Sequence, residues 1–158
     1  MPKTRPVGSL DSKLLSTSEY IALAEFRYQL RRYLRHMEEH ARGSGNHPQQ
    51  YQLLLAIKGL PLARVPSVTI LAERMQMNHN SMVELADRCE KRGLIRRVRE
   101  SDTDRRQVTL AITQEGEKIL RQQASASRQE LRSIGPILVT ALQRLLRQQK
   151  ALTTRKKK

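Results

Sequence analysis

Five arginines surround one short acidic turn, and they are the residues of this chain with the clearest binding chemistry. The turn comprises residues 100–104, and the arginines beside it are Arg96, Arg97, Arg99, Arg105 and Arg106. A guanidinium stays charged in proteins and binds phosphate or carboxylate oxygens through a planar fork of N–H groups. Asp104 precedes Arg106 by two residues, so its carboxylate could hold that guanidinium in a fixed direction. We therefore predict a site for an anionic partner here.

Two strand-like runs, Leu94–Arg99 and Arg106–Ile112, hold this turn between them. The second run alternates in hydrophobicity, and its inward positions are predicted to be Val108, Leu110 and Ile112. Gly93 stands where a preceding helix should end, because glycine accepts the positive φ of the residue after a helix. The sequence thus predicts a helix followed by a β-hairpin whose tip is lined with arginine.

A helix-turn-helix is predicted just before the hairpin. Ser67 can cap a short helix over Val68–Met75, and a polar turn then leads into a second helix over Asn80–Arg92. The inner face of this second helix is predicted to be Val83, Leu85, Ala86 and Cys89, with the cysteine filling core space. Its outward positions, at which base edges are met in such motifs, are His79, Asn80, Ser81, Glu84 and Arg88. Asn can bond adenine and Glu can accept from cytosine; alternatively, Asn80 and Ser81 are N-cap residues.

The composition points to a polyanionic partner. Thirty Lys and Arg against fifteen Asp and Glu give a net charge of +15, for which nucleic acid is the expected partner. Aromatic residues are only 3%, which argues against single-strand stacking surfaces. The longest apolar run, Leu53–Ile57, is far too short to cross a membrane, and Met1–Leu10 lacks an apolar signal core. With a single cysteine, these features predict a cytoplasmic protein with no internal disulfide and no membrane partner.

Long amphipathic helices are predicted at both ends of the chain. A capping box at Ser16–Glu19 opens the first, and Thr113 caps another that is expected to break at Gly135-Pro136 and restart toward Leu152. A compact domain over residues 48–112 cannot cover both apolar stripes, so pairing with a second copy is expected.

The predicted fold is mainly α with a small β-hairpin wing, a winged helix-turn-helix flanked by dimerisation helices. Its parts are expected at residues 1–15 (flexible basic arm), 16–46 (N-terminal dimerisation helix), 47–112 (winged helix-turn-helix), 113–152 (C-terminal dimerisation helices) and 153–158 (basic tail).

The chain resembles the MarR family of bacterial transcriptional regulators. The resemblance lies in Lys91–Arg97, in Asp104-Arg-Arg106 and in Val108-Thr-Leu-Ala-Ile-Thr-Gln-Glu-Gly116. It implies a homodimeric repressor that binds a pseudo-palindromic site in double-stranded DNA, with Asn80–Arg92 in the major groove and the wing in the minor groove. Glu84 departs from the family, which often carries a basic residue there, and the wing is about one residue longer than is typical.

The resemblance also implies roles for single residues. Asp104 and Arg106 match the Asp-x-Arg wing motif, whose arginine enters the minor groove. Arg97, Arg99 and Arg105 are expected to contact phosphates. A small aromatic or phenolic effector, held between the dimer helices and the winged helix, is implied as the signal for release. The residues proposed to contact it are Tyr28, Tyr33 and Tyr51.

Two other classes of protein stay open at this stage. His36 and His40 match the His-x-x-Glu-His pattern of a zinc peptidase, but no third ligand follows nearby, so helix-surface histidines are the simpler interpretation. A non-specific architectural DNA-binding protein would share the charge but lack a preferred site. We expect no catalytic residue, no metal and no cofactor.

Overall fold

The computed structural model describes residues 15–99 and 108–155 of this chain. Its elements in chain order are α1 (Thr17–Gly43), α2 (Pro48–Lys58), α3 (Val68–Arg74), α4 (His79–Lys91), β1 (Ile95–Arg99), β2 (Val108–Ile112) and α5 (Gln114–Arg155). The two strands pair antiparallel, with Ile95 opposite Ile112 and Arg99 opposite Val108. The predicted fold class, mainly helical with a small β-hairpin wing, is confirmed.

Helix starts follow the capping residues that the sequence supplies. The backbone N–H of Ser16 donates to the Glu19 carboxylate at 2.7 Å, and the N–H of Glu19 donates back to Ser16 Oγ at 3.3 Å. This reciprocal pair satisfies backbone donors that the first turn of α1 leaves free. Pro48 occupies the first turn of α2, where its missing N–H costs nothing.

The predicted break at Gly135-Pro136 is wrong, because α5 runs without interruption from Gln114 to Arg155. A proline inside a helix removes one backbone hydrogen bond, but the turns on either side of it keep theirs. The missing N–H of Pro136 deprives only the carbonyl group of Arg132, four residues earlier, of its usual helical donor. A single continuous helix therefore replaces the two shorter ones that we expected.

A hydrophobic core lies among α2, α3, α4 and the hairpin. Its fully buried side chains include Leu53, Leu54, Leu71, Met82, Leu85, Cys89, Ile95 and Leu110. The inner face of α4 is Met82, Leu85, Ala86 and Cys89, whereas Val83 is only half-buried. The prediction therefore misplaced one residue. Steps of three and four residues place Met82, not Val83, in line with Leu85 and Cys89.

The hairpin is fixed to the start of α5 by Thr113 and two glycines. The Thr113 hydroxyl donates to the carbonyl oxygen of Gly93 at 2.5 Å and accepts the N–H of Gly116 at 3.1 Å. Gly93 has a φ of +68°, which explains why a glycine occupies this position. A Cβ at Gly116 would overlap the Leu94 carbonyl group, so only glycine allows this close approach.

The chain divides into two compact units, residues 33–135 and residues 1–32 together with 136–158. The first unit contains the helix-turn-helix and the hairpin. In the described part of the second unit, large apolar side chains are exposed: Leu15, Tyr20, Ile21, Leu23, Tyr28, Leu30, Ile137, Val139, Leu142 and Leu146. Among the described residues, no helix has the length and apolar character needed to span a membrane.

Candidate nucleic-acid interface

The N-terminal turn of α4 presents polar side chains on an exposed surface. Asn78 is the N-cap, and its Oδ1 accepts the N–H of Ser81 at 2.8 Å. The alternative in which Asn80 and Ser81 cap this helix is therefore wrong, because the cap lies earlier. The side chains of His79 and Asn80 are exposed, and Ser81 is half-buried. The residues predicted to meet base edges thus stand at the free end of α4.

Glu84 and Arg88 continue the exposed face of α4 by one and two further turns. Their closest charged atoms, Glu84 Oε2 and Arg88 Nη1, are 4.0 Å apart, and the side chains are 71% and 52% exposed. An exposed pair at this separation contributes little to stability, so neither side chain is held away from solvent.

The turn between α3 and α4 sets the angle of the second helix. Gln76 has a φ of +53°, in the left-handed region that side chains other than glycine rarely adopt. Its side-chain amide donates to the Glu73 carbonyl oxygen at 2.8 Å, and the N–H of Met77 donates to the Ala72 carbonyl at 2.9 Å. These bonds satisfy the polar groups of the turn and offset its backbone strain. The sequence marked this segment only as polar.

The hairpin carries two exposed arginines beside α4. Arg96 and Arg99 on β1 are exposed, while the Leu110 side chain on β2 is buried. The N–H of Leu110 donates to the Pro66 carbonyl oxygen at 2.9 Å, which ties β2 to the segment before α3. The predicted wing-tip residues Asp104, Arg105 and Arg106 lie outside the described residues, so their roles stay predictions.

Arg97 bonds the protein itself, although we predicted a phosphate contact. Its backbone N–H donates to Glu90 Oε1 at 2.9 Å, and its guanidinium donates to Asp87 Oδ1 at 2.5 Å and to Glu90 Oε2. The hydrogen bond to Asp87 raises the pKa of Arg97, and the Glu90 carboxylate adds to the rise. Sequence reasoning missed this role because Asp87 and Glu90 become neighbours of Arg97 only after the hairpin folds back on α4.

Two of the three predicted effector-binding tyrosines lie together in residues 33–135. The Tyr51 hydroxyl is within hydrogen-bonding distance of Ser127 Oγ, at 3.1 Å. Burial raises the pKa of Tyr33, and the neighbouring Tyr51 and Glu130 raise it further. Tyr28 is exposed and belongs to the other unit.

Gln123 is a buried amide on α5. It lies one helical turn before Ser127 on α5. Its side chain is 2% exposed, and its Nε2 finds no hydrogen-bond partner among the residues described. No sequence pattern singles out this residue, since a glutamine on a helix normally faces solvent.

A polar groove of about 690 Å³ lies where α1, α2 and the end of α4 meet. Its lining includes Glu38, Arg42, His47, Gln49, Gln52 and Arg92. None of the three predicted tyrosines lines it.

The motif that suggested a metal site does not gather further ligands. His36 Nε2 lies 3.4 Å from a Glu130 carboxylate oxygen, and His40 is exposed. Within residues 15–99 and 108–155, no three His, Cys, Asp or Glu side chains are grouped so as to hold a metal ion.

Two helices joined by a tight turn, followed by a hairpin that packs on the second helix, define a winged helix-turn-helix protein. Residues 44–107 match the family model described as MarR family. The resemblance to this family is therefore confirmed, and the chain has the fold of MarR family transcriptional regulators.

Solved structures show the same fold along most of the chain. A MarR family protein from Bacillus stearothermophilus is 21% identical over 89% of this chain and 99% of that one, with a TM-score of 0.64. AbsC, a MarR family transcriptional regulator from Streptomyces coelicolor, is 18% identical over 92% and 99%, with a TM-score of 0.69. BpsR from Bordetella bronchiseptica, whose DNA binding is regulated by 6-hydroxynicotinic acid, is 18% identical over 78% and 94%, with a TM-score of 0.59. The sequence matches none of the curated proteins with which it was compared.

Proposed function

We propose that this chain is a sequence-specific regulator of transcription that binds double-stranded DNA as a homodimer, and that it acts as a repressor. The observation that carries this proposal is the exposed N-terminal turn of α4 beside a basic hairpin. An α-helix with polar side chains at a free end fits the major groove. The net charge of +15 supplies the attraction to phosphates.

We assign the predicted DNA contacts other than Arg97 to two grooves and to the phosphates. His79, Asn80, Ser81, Glu84 and Arg88 would meet the major groove from α4. Arg99 and Arg105 would contact phosphates, and Arg106, held by Asp104, would enter the adjacent minor groove. Phosphate contacts fix the register of the protein on the duplex, while base contacts select the sequence.

Homodimer formation is supported by the exposed apolar side chains of α1 and α5. Tyr20, Ile21 and Leu142 are among them. Apolar surface of this kind is stabilised by burial, and a twofold dimer is the commonest way to bury it. The twofold axis would place two recognition helices on half-sites about 10–10.5 base pairs apart.

Release by a small aromatic or phenolic effector is supported by the cluster around Tyr33 and Tyr51. Gln123 Nε2 has no hydrogen-bond partner among the described residues, and Gln123 lies one helical turn from Ser127, so this group could donate to a carboxylate or phenol oxygen. The related fold of BpsR responds to an aromatic acid, 6-hydroxynicotinic acid. Tyr28 stays a further candidate contact.

Competition binding at fixed salt tests the proposed function. A duplex selected by the protein should resist competition by random duplex, since specific sites are typically bound about 10³-fold or more tightly than non-specific DNA. Asn80→Ala should reduce this preference, whereas Lys118→Ala, on the exposed surface of α5, is the matched control. Equal displacement by selected and random DNA would instead support the architectural alternative.

A further inference from the structure

Asp87 and Glu90 form an acidic pair on one face of α4, three residues apart. Arg97, at the centre of β1, donates to both carboxylates through its guanidinium and to Glu90 again through its backbone N–H. Hydrogen bonds between charged groups are roughly twice as strong as neutral ones, and a planar fork fixes direction as well as distance. We call these three residues the wing clamp.

The wing clamp differs from the other charged groups near the hairpin. The side chain of Arg97 is 31% exposed, whereas its neighbours Arg96 and Arg99 are exposed. The Asp87 and Glu90 side chains are 47% and 37% exposed. Partial removal from water strengthens these pairs relative to a fully exposed ion pair. The guanidinium of Arg97 is thereby directed toward α4.

The position of Arg97 gives the wing clamp control over the direction of the hairpin. Arg97 stands opposite Leu110 in the strand register, halfway along β1. Thr113 and Gly93 fix one end of the hairpin, and the Pro66 carbonyl holds β2. Ile95 and Leu110 anchor the hairpin in the core, and the clamp adds a charged connection from the middle of β1 to α4. Its loss therefore removes a restraint on the angle of the hairpin against the recognition helix.

We propose that Arg97 is a positioning residue that sets the distance between the major-groove contacts of α4 and the wing contacts, and that it does not itself bind a DNA phosphate. This role presupposes the DNA-binding function proposed above. A phosphate contact and a clamp require different chemical properties of the side chain at position 97. A phosphate contact needs only a positive charge, which lysine also supplies. A clamp between two carboxylates needs the forked guanidinium.

Arg97→Lys and Asp87→Asn test the wing clamp with opposite changes in charge. Arg97→Lys keeps the charge, and we expect it to weaken binding to the selected duplex about tenfold while binding to random duplex stays unchanged. Asp87→Asn removes a negative charge, which on electrostatics alone should strengthen binding to any DNA. The wing clamp instead predicts weaker binding to the selected duplex. Glu73→Gln on α3 is the control, an exposed acid whose loss should only strengthen binding slightly.

Salt dependence and footprinting add readouts that a loss of stability would not reproduce. The slope of log K against log salt concentration should stay at the wild-type value in Arg97→Lys, while Arg99→Gln should reduce it by about 0.9 per lost phosphate contact. Hydroxyl-radical protection should be lost at the flanking minor groove and kept at the centre of each half-site. If Arg97→Lys and Asp87→Asn bind the selected duplex as tightly as the wild type, the wing clamp is refuted. A wild type with no preferred duplex would instead refute the proposed function.

Discussion

In the proposed function, Glu84 accepts a hydrogen bond from a base in the major groove. Its carboxylate lies 4.0 Å from Arg88 and is largely exposed, so it is available to accept from a cytosine amino group. We expect Glu84→Gln to change the preferred base at one position of each half-site. It should also raise affinity for random DNA slightly, because a negative charge is lost. Selection of bound sequences at one salt concentration provides the measurement. An unchanged motif in Glu84→Gln would assign the base readout to Asn80 and Ser81 instead.

Cys89 is expected to be chemically silent in the folded protein. It is fully buried, and burial raises the pKa of its thiol to about 11. Only the thiolate reacts readily, so Ellman's reagent should modify the native protein slowly and the protein in guanidinium rapidly. Fast modification of native protein would contradict the burial.

The same shift in pKa makes the contribution of Cys89 to stability depend on pH. The folded thiol has a pKa of about 11, whereas the unfolded thiol loses its proton near its ordinary pKa of 9.0. The contribution is therefore complete below pH 9 and is lost as the pH rises toward 11. Urea unfolding across this window should show a shallower loss of stability in Cys89→Ala.

The partners of Arg97 could not be predicted from the sequence. The basic hairpin was predicted from the spacing of arginines and glycine, and its helix and strands lie where expected. The partners of Arg97 lie on α4. No local sequence pattern indicates which of the five neighbouring arginines will pack against that helix. The burial of Gln123 and the groove beside Arg42 depend on tertiary packing in the same way.

The elements themselves followed local chemistry closely, with two exceptions. The capping residues Ser16, Ser67 and Thr113 marked helix starts correctly, because a cap satisfies backbone donors that nothing else nearby can. One exception is the N-cap of α4, which is Asn78 rather than Asn80 or Ser81. The other is Pro136, which we expected to break α5. A proline costs about 3 kcal/mol in a helix interior, and α5 nevertheless continues through it.

Gly116 lies at the junction between the hairpin and α5, and its substitution tests how closely the two elements pack. A Cβ at this position overlaps the carbonyl group of Leu94, so backbone must shift to admit it. We expect Gly116→Ala to lower the free energy of unfolding by about 1–3 kcal/mol, as overpacking does. Gly43→Ala at the end of α1 meets open space and should cause no loss. Urea unfolding of both variants provides the measurement, and equal stability of Gly116→Ala and wild type would contradict the close approach.

The proposed function requires two copies of the chain to associate through their exposed apolar helices. Leu142 is 40% exposed, while Gln143 beside it is also exposed. We expect Leu142→Glu to place a charge in the dimer interface and to yield monomers, whereas Gln143→Glu should remain dimeric. Light scattering coupled to size-exclusion chromatography distinguishes these species. A wild-type protein that is monomeric at micromolar concentration would refute the dimer.

Selection of bound sequences from random double-stranded DNA, with the full chain at one salt concentration, tests the central claim most directly. A homodimer that reads DNA with α4 must enrich a twofold-symmetric motif whose half-sites are separated by about one helical turn, 10–10.5 base pairs. The positions that flank the motif, where the wing docks, should favour sequences with a narrow minor groove. Enrichment of no motif at all, or of a motif without twofold symmetry, would contradict a dimeric, sequence-specific regulator.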